Sequence, residues 1–107
     1  MPPGRQDVRG AIARASQATG IDFAYLLGQA RVESGLNPQA RAGTSSAAGL
    51  YQFTNATWLN TLDRHGAAHG YGWAADAIEN GRVRDPAMRQ TILAMRFDPA
   101  LAALMVF

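Results

Sequence analysis

The chain of 107 residues has no cysteine and no lysine, and only two glutamates, Glu33 and Glu79. The lack of cysteine excludes disulfides and thiolate metal sites and leaves no mark of redox compartment. The lack of lysine makes all ten cations arginines, and the formal net charge is only +2. So small a surplus attracts anions weakly, and with no concentrated basic patch a nucleic-acid partner is not expected. No apolar run reaches the ~20 residues of a membrane-spanning helix. The opening Met1-Pro2-Pro3-Gly4-Arg5 has no apolar middle region of the kind a secretion signal needs. Either the protein stays inside, leaves by another route, or is a piece of a longer chain. The other end favours the last option, because Leu101-Ala102-Ala103-Leu104-Met105-Val106-Phe107 stops within an apolar run without a cap.

What is present is a globular composition, 48% hydrophobic and 17% charged, enough for one domain over residues 1–107. Alanine is abundant, so helices packed closely through small side chains are expected. Val8, Ala11, Ile12, Ala15 and Ala18 recur at helical spacing between about Asp7 and Thr19, and Gly20 is placed to end that helix. Asp22 reads as the N-cap of a second helix, about Phe23 to Ser34, with Phe23, Leu26, Leu27 and Ala30 inward. A turn-rich loop follows to about Ala48, with a short extended piece at Leu50 to Phe53. Thr54 would cap a third helix, to about Arg64, with Trp58, Leu59 and Leu62 on its apolar side. The glycine-rich stretch His65 to Gly72 reads as a loop, and Trp73 to Glu79 as a short helix. Asp85-Pro86 and Asp98-Pro99 each pair an N-cap with proline at the first helical position, where its missing N–H costs nothing. The fold class is all-α, with little or no strand.

Glu33 is the residue that points to chemistry. The apolar stripe of the second helix, continued by three and four residues, lands on Glu33 and Ser34, so Glu33 is expected to face inward; an exposed helix-end glutamate paired with Arg31 or Arg41 is its competing reading. A carboxyl against apolar surface holds its proton to higher pH and can act as an acid near neutrality. Ser34 is placed to hydrogen-bond that carboxyl or a substrate. Gln52 offers a donor and an acceptor, which suits a sugar's N-acetyl amide; a turn residue bonding local backbone is its competing reading. Tyr51, Phe53, Tyr71 and Trp73 offer faces for pyranose rings, although Tyr51 and Phe53 serve equally as core, Trp73 leans that way, and Trp58 reads as a core anchor. His65 and His69 lie four apart, but the glutamate of a zinc-helix motif is missing. They read as solvated loop residues, and no metal or cofactor is expected. Arg82, Arg84, Arg89 and Arg96 read as a solvated face.

The ordered run Glu33-Ser34-Gly35-Leu36-Asn37-Pro38-Gln39-Ala40, Ala47-Ala48-Gly49-Leu50-Tyr51-Gln52-Phe53 and Thr57-Trp58 resembles the soluble, lysozyme-like lytic transglycosylases, over about residues 8 to 64. The resemblance implies a peptidoglycan-cleaving domain that acts in the periplasm or cell wall on glycan strands. It makes Glu33 the single catalytic acid/base. Ser34 becomes its neighbour that orients it or the substrate, and Gln52 the reader of the N-acetylmuramic acid amide. Gly49 and Leu50 shape that cluster's backbone, and Tyr51 stands where methionine is usual. With Phe53 these form the expected substrate-binding set. No match to the family's later tyrosine- and asparagine-containing motif precedes Phe107, so the domain is expected to be incomplete at its C-terminus.

A one-carboxylate site would cleave the MurNAc–GlcNAc bond with help from the substrate's acetamido group and give a 1,6-anhydro sugar. Two alternatives keep the fold. One is a hydrolytic muramidase with Asp63 or Asp76 as second acid. The other is a non-catalytic wall-binding or assembly module. The apolar C-terminal segment is expected to pack on its own domain or on a second copy.

Overall fold

The computed structural model describes residues 7–106. The Met1–Arg5 stretch assessed for an export signal, and Phe107, lie outside them. Six α-helices follow one another: α1 Val8–Thr19, α2 Phe23–Ser34, α3 Asn55–His65, α4 Gly72–Glu79, α5 Pro86–Ala94 and α6 Pro99–Leu104. Three short 3-10 segments, Gly66–His69, Arg82–Arg84 and Met95–Phe97, join the later helices. There are no strands among the described residues, only isolated bridges pairing Arg41 with Ala48 and Ala48 with Phe53. The all-α expectation is met.

The helix starts follow from local chemistry. The carboxylates of Asp7, Asp22, Asp85 and Asp98, and the hydroxyl of Thr54, each accept a hydrogen bond from an otherwise orphaned N–H of the first turn; such a cap contributes about 1 kcal/mol. Gly20 and Gly35 end α1 and α2 in the left-handed conformation. The glycine-rich stretch after α3 winds into the 3-10 turn Gly66–His69 rather than an open loop.

Two apolar clusters form the core. Ile12, Ala15, Leu26, Ala30, Leu50, Tyr51, Ala102 and Ala103 build the first. Trp58, Leu62, Ala74, Ala77, Ile92, Leu101 and Met105 build the second. Phe53 and Leu104 pack against both. Trp58 is the expected anchor: it is fully buried, its indole N–H donates to the Ile92 carbonyl at 2.9 Å, and Phe53 meets it edge-on at 5.0 Å. The final helix packs on α1. Leu101, Ala102, Ala103 and Met105 are thereby buried within the chain itself.

Several side chains depart from their expected places. Trp73 is 47% exposed, Phe23 also lies at the surface, and Ala18 is exposed. The extended piece expected at Leu50 to Phe53 is a turn closed by the Gln52 N–H to the Gly49 carbonyl, with Gln52 itself at φ 53°. Arg82, Arg84 and Arg89 are exposed as expected, but Arg96 is 6% exposed.

Arg96 is the fastening of the loop between α2 and α3. Its Nε donates to the Leu93 carbonyl at 2.8 Å, and Nη1 donates to the carbonyls of Ser46 at 2.8 Å and Phe53 at 2.9 Å. Burial first, and then the charge of Arg41, lower its affinity for its proton. It nonetheless stays a cation near neutral pH, because guanidinium deprotonates only far above it. Gly49 lies against the same segment: at φ 86° its backbone comes so close that a Cβ there would collide with the Arg96 carbonyl oxygen. Only glycine tolerates both the angle and the approach.

Candidate active site

The loop delivers two aromatic side chains to a groove of about 300 Å³ that also receives Glu33. α2 contributes Gln29 and Glu33, one turn apart. α3 contributes Thr57, Asn60, Thr61, Arg64 and His65. Tyr51, Phe53, Met105 and Val106 complete the lining. The floor is therefore where the two core clusters meet: Tyr51 belongs to the first, Met105 to the second, and Phe53 touches both. The polar lining residues of α3 recur at three- and four-residue intervals beside the stripe of Trp58 and Leu62, and that periodicity is the sequence signal for these otherwise unpredicted lining residues.

Glu33 does not point into apolar surroundings. It is exposed, on the groove's edge. The buried line of α2 runs through Leu26 and Ala30, and its next step reaches Ser34, which is half-buried. Glu33 therefore sits one position off the buried line. Among the described residues it is also the only side-chain carboxylate of the groove. Asp63 lies elsewhere on α3 and meets Glu79, whose pKa is raised by a hydrogen bond with Asp63 and then by that residue's charge. Asp76 is exposed on α4 and does not line the groove.

The other expected site residues divide. Tyr51 and Phe53 join Glu33, whereas Ser34, Gly49, Leu50 and Gln52 hold the loop from behind. The Ser34 hydroxyl donates to the Leu50 carbonyl at 2.7 Å and lies 3.0 Å from the Ala30 carbonyl, so it ties the end of α2 to the loop. Leu50 is fully buried core and Gly49 is buried against Arg96. The Gln52 amide donates to the carbonyls of Ala40 at 3.1 Å and Gly49 at 2.9 Å. Its donor is spent on local backbone, as in the competing reading, and the residue is absent from the groove. His65 lines the groove at the end of α3 rather than lying in a solvated loop.

Ser34→Ala should lower stability by about 1 kcal/mol, the usual net worth of one such hydrogen bond, offset in part by alanine's better helix propensity. Thermal unfolding measures it.

Tyr51 is 8% exposed and its hydroxyl donates to the Leu26 carbonyl at 2.8 Å. Burial pushes its pKa up to about 12. An unfolded tyrosine ionises near pH ~10. The buried neutral phenol thus adds stability that is full below pH ~10 and lost as pH rises through ~12, by at most about 3 kcal/mol. Urea unfolding at a series of alkaline pH values should show that decline in the parent and a much weaker one in Tyr51→Phe.

Residues 10–83 match the family model of the transglycosylase SLT domain. The chain belongs to this family. The match contains most of α1 and all of α2, the pinned loop, α3 and α4, which is the framework that sets Glu33, Tyr51 and Phe53 around one groove. Membership gives the SLT domain a lytic-transglycosylase type of function, with peptidoglycan as substrate and the periplasm or cell wall as the place where such domains act. Among the described residues no helix is long and apolar enough to cross a membrane.

Proposed function

We propose that this SLT domain cleaves the β-1,4 bond between MurNAc and GlcNAc in peptidoglycan, in the periplasm or wall, with Glu33 as its single acid and base. The observation that carries the reading is the inventory of side-chain carboxylates in the groove, which among the described residues is Glu33 alone. Two-carboxylate glycosidases need a second acid across the scissile bond. The two residues considered for that role in a hydrolytic mechanism, Asp63 and Asp76, are not in the lining.

With one carboxylate the substrate must supply the rest. Glu33 gives its proton to the glycosidic oxygen as the bond from that oxygen to C1 breaks. The 2-acetamido oxygen supports the positive charge growing at C1. The Glu33 carboxylate then takes the proton from the same sugar's C6 hydroxyl, whose oxygen bonds to C1. The products are a 1,6-anhydromuramyl end and a GlcNAc 4-hydroxyl, and no water is consumed. A strand laid in the groove beside Phe53 brings the scissile oxygen to a carboxyl that is open in the free protein. The amide reader assigned by resemblance to Gln52 is better sought among Gln29, Asn60 and Thr61, which face the same groove.

The test is the state of the newly formed chain ends on purified peptidoglycan. Intramolecular closure leaves ends that borohydride does not reduce. An increase in reducible muramic acid ends in step with lysis would show hydrolysis and overturn the reading.

A further inference from the structure

A second groove, of about 650 Å³, opens on another side of the same loop, between its residues 41–48 and the segment 90–97. Its volume is in the range of ligand sites, ~300–1,000 Å³. Among the described residues no carboxylate lines it, while two arginines do, Arg41 and Arg96. They are near enough that the charge of Arg41 acts on Arg96. Like charges placed together in a wall without an acid raise the affinity of that wall for an anion.

The donors there are differently employed. Arg96 gives its Nε and Nη1 protons to three carbonyls. Arg41 is exposed, and its guanidinium carbon lies over the Phe97 ring at 4.6 Å from the centroid. That cation–π contact biases the head group toward this wall, and a planar fork of donors suits a carboxylate. The hydroxyls of Ser45 and Ser46 accept from the N–H groups of Ala47 and Asn55, so each is positioned with its own proton to donate. Between these polar groups the wall is apolar, from Leu93, Ala94 and Phe97. Anchored charge, adjacent hydroxyls and apolar lining together fit a short acidic peptide better than a bare anion.

We infer that this groove binds a carboxylate of the peptide stems carried by the glycan, with Arg41 as the principal contact. The source of the peptide rests on the peptidoglycan reading, but binding here does not require Glu33. The experiment is a nuclear magnetic resonance titration of the whole chain with the blocked acidic tripeptide N-acetyl-Ala-Glu-Ala amide, its neutral counterpart N-acetyl-Ala-Gln-Ala amide, and inorganic phosphate. The acidic peptide should shift the Ala47 and Ala48 amides and the Arg96 Nε signal, and the neutral one should not. Arg41→Gln should weaken that binding at least ~10-fold, with Arg41→Lys intermediate because it keeps the charge and loses the fork. The parent and the lysis-dead Glu33→Gln should respond alike, so failure here and failure of the catalytic reading are told apart. The inference is overturned if the neutral peptide binds equally well, if phosphate binds more tightly than the acidic peptide, if shifts fall only around Glu33, or if none occur.

Discussion

Glu33→Gln should abolish lysis of purified sacculi while leaving the fold and its melting temperature unchanged. The two halves of this expectation have separate grounds. Positioned acid–base groups contribute about 10²–10⁴-fold in rate. Here one group has both tasks, so its loss removes proton donation to the leaving oxygen and proton removal from the C6 hydroxyl together. A fall of at least ~10²-fold is the outcome expected of that range. The stability half follows from exposure. Glu33 sits on the groove's edge in contact with solvent, and surface substitutions of this kind are usually within about ±0.5 kcal/mol. Paired measurements of turbidity clearing and thermal unfolding check both. Retained clearing would remove Glu33 from its role, and a collapsed melting temperature would show that its role is structural.

Arg96→Met should have the largest effect on stability. Methionine keeps an unbranched apolar stem but ends about where Nε stands, so it replaces neither the donors nor the volume of the guanidinium. Three carbonyls, of Leu93, Ser46 and Phe53, would lose their charged partner. Hydrogen bonds to charged groups contribute roughly 1.5–3 kcal/mol each and are not additive. Release from burying a charge offsets part of the loss. A net cost of about 3 kcal/mol is expected, which at roughly 4–8 °C per kcal/mol lowers the melting temperature by at least about 10 °C. The effect should also reach the groove, because Phe53 carries its carbonyl to Arg96 and its side chain to the Glu33 site. Lysis measured well below the melting temperature should therefore fall as well, whereas in Arg89→Met, altered at an exposed neighbour, neither quantity should move.

Helix starts were legible because an N-cap is a local device. Asp22, Thr54, Asp85 and Asp98 each announce a helix within three residues, and all four cap as read. Facing was less legible. α2 carries exposed apolar residues at Phe23, Tyr25 and Val32, which blur its stripe, so its phase does not separate Glu33 from Ser34. The loop was least legible, since its order comes from distant partners. Arg96 looks like one cation of a surface series because nothing near it in sequence reveals that its acceptors lie 43 and 50 residues upstream. Gln52 matches a motif position, yet its positive φ and its two backbone bonds within the loop turn its amide away from the groove. The groove itself was half legible. Glu33, Tyr51 and Phe53 came from the motif. The polar side of α3 required asking what lies beside Trp58 and Leu62.

The most direct measurement of the single-carboxylate claim is to digest purified peptidoglycan with the chain in water enriched in heavy oxygen and to weigh the released muropeptides. Closure by the substrate's own C6 oxygen predicts fragments with no heavy oxygen at C1, each lighter by one water than a hydrolysed fragment. Heavy oxygen at C1 would mean that water is the nucleophile, and the account of Glu33 as sole acid and base would be wrong.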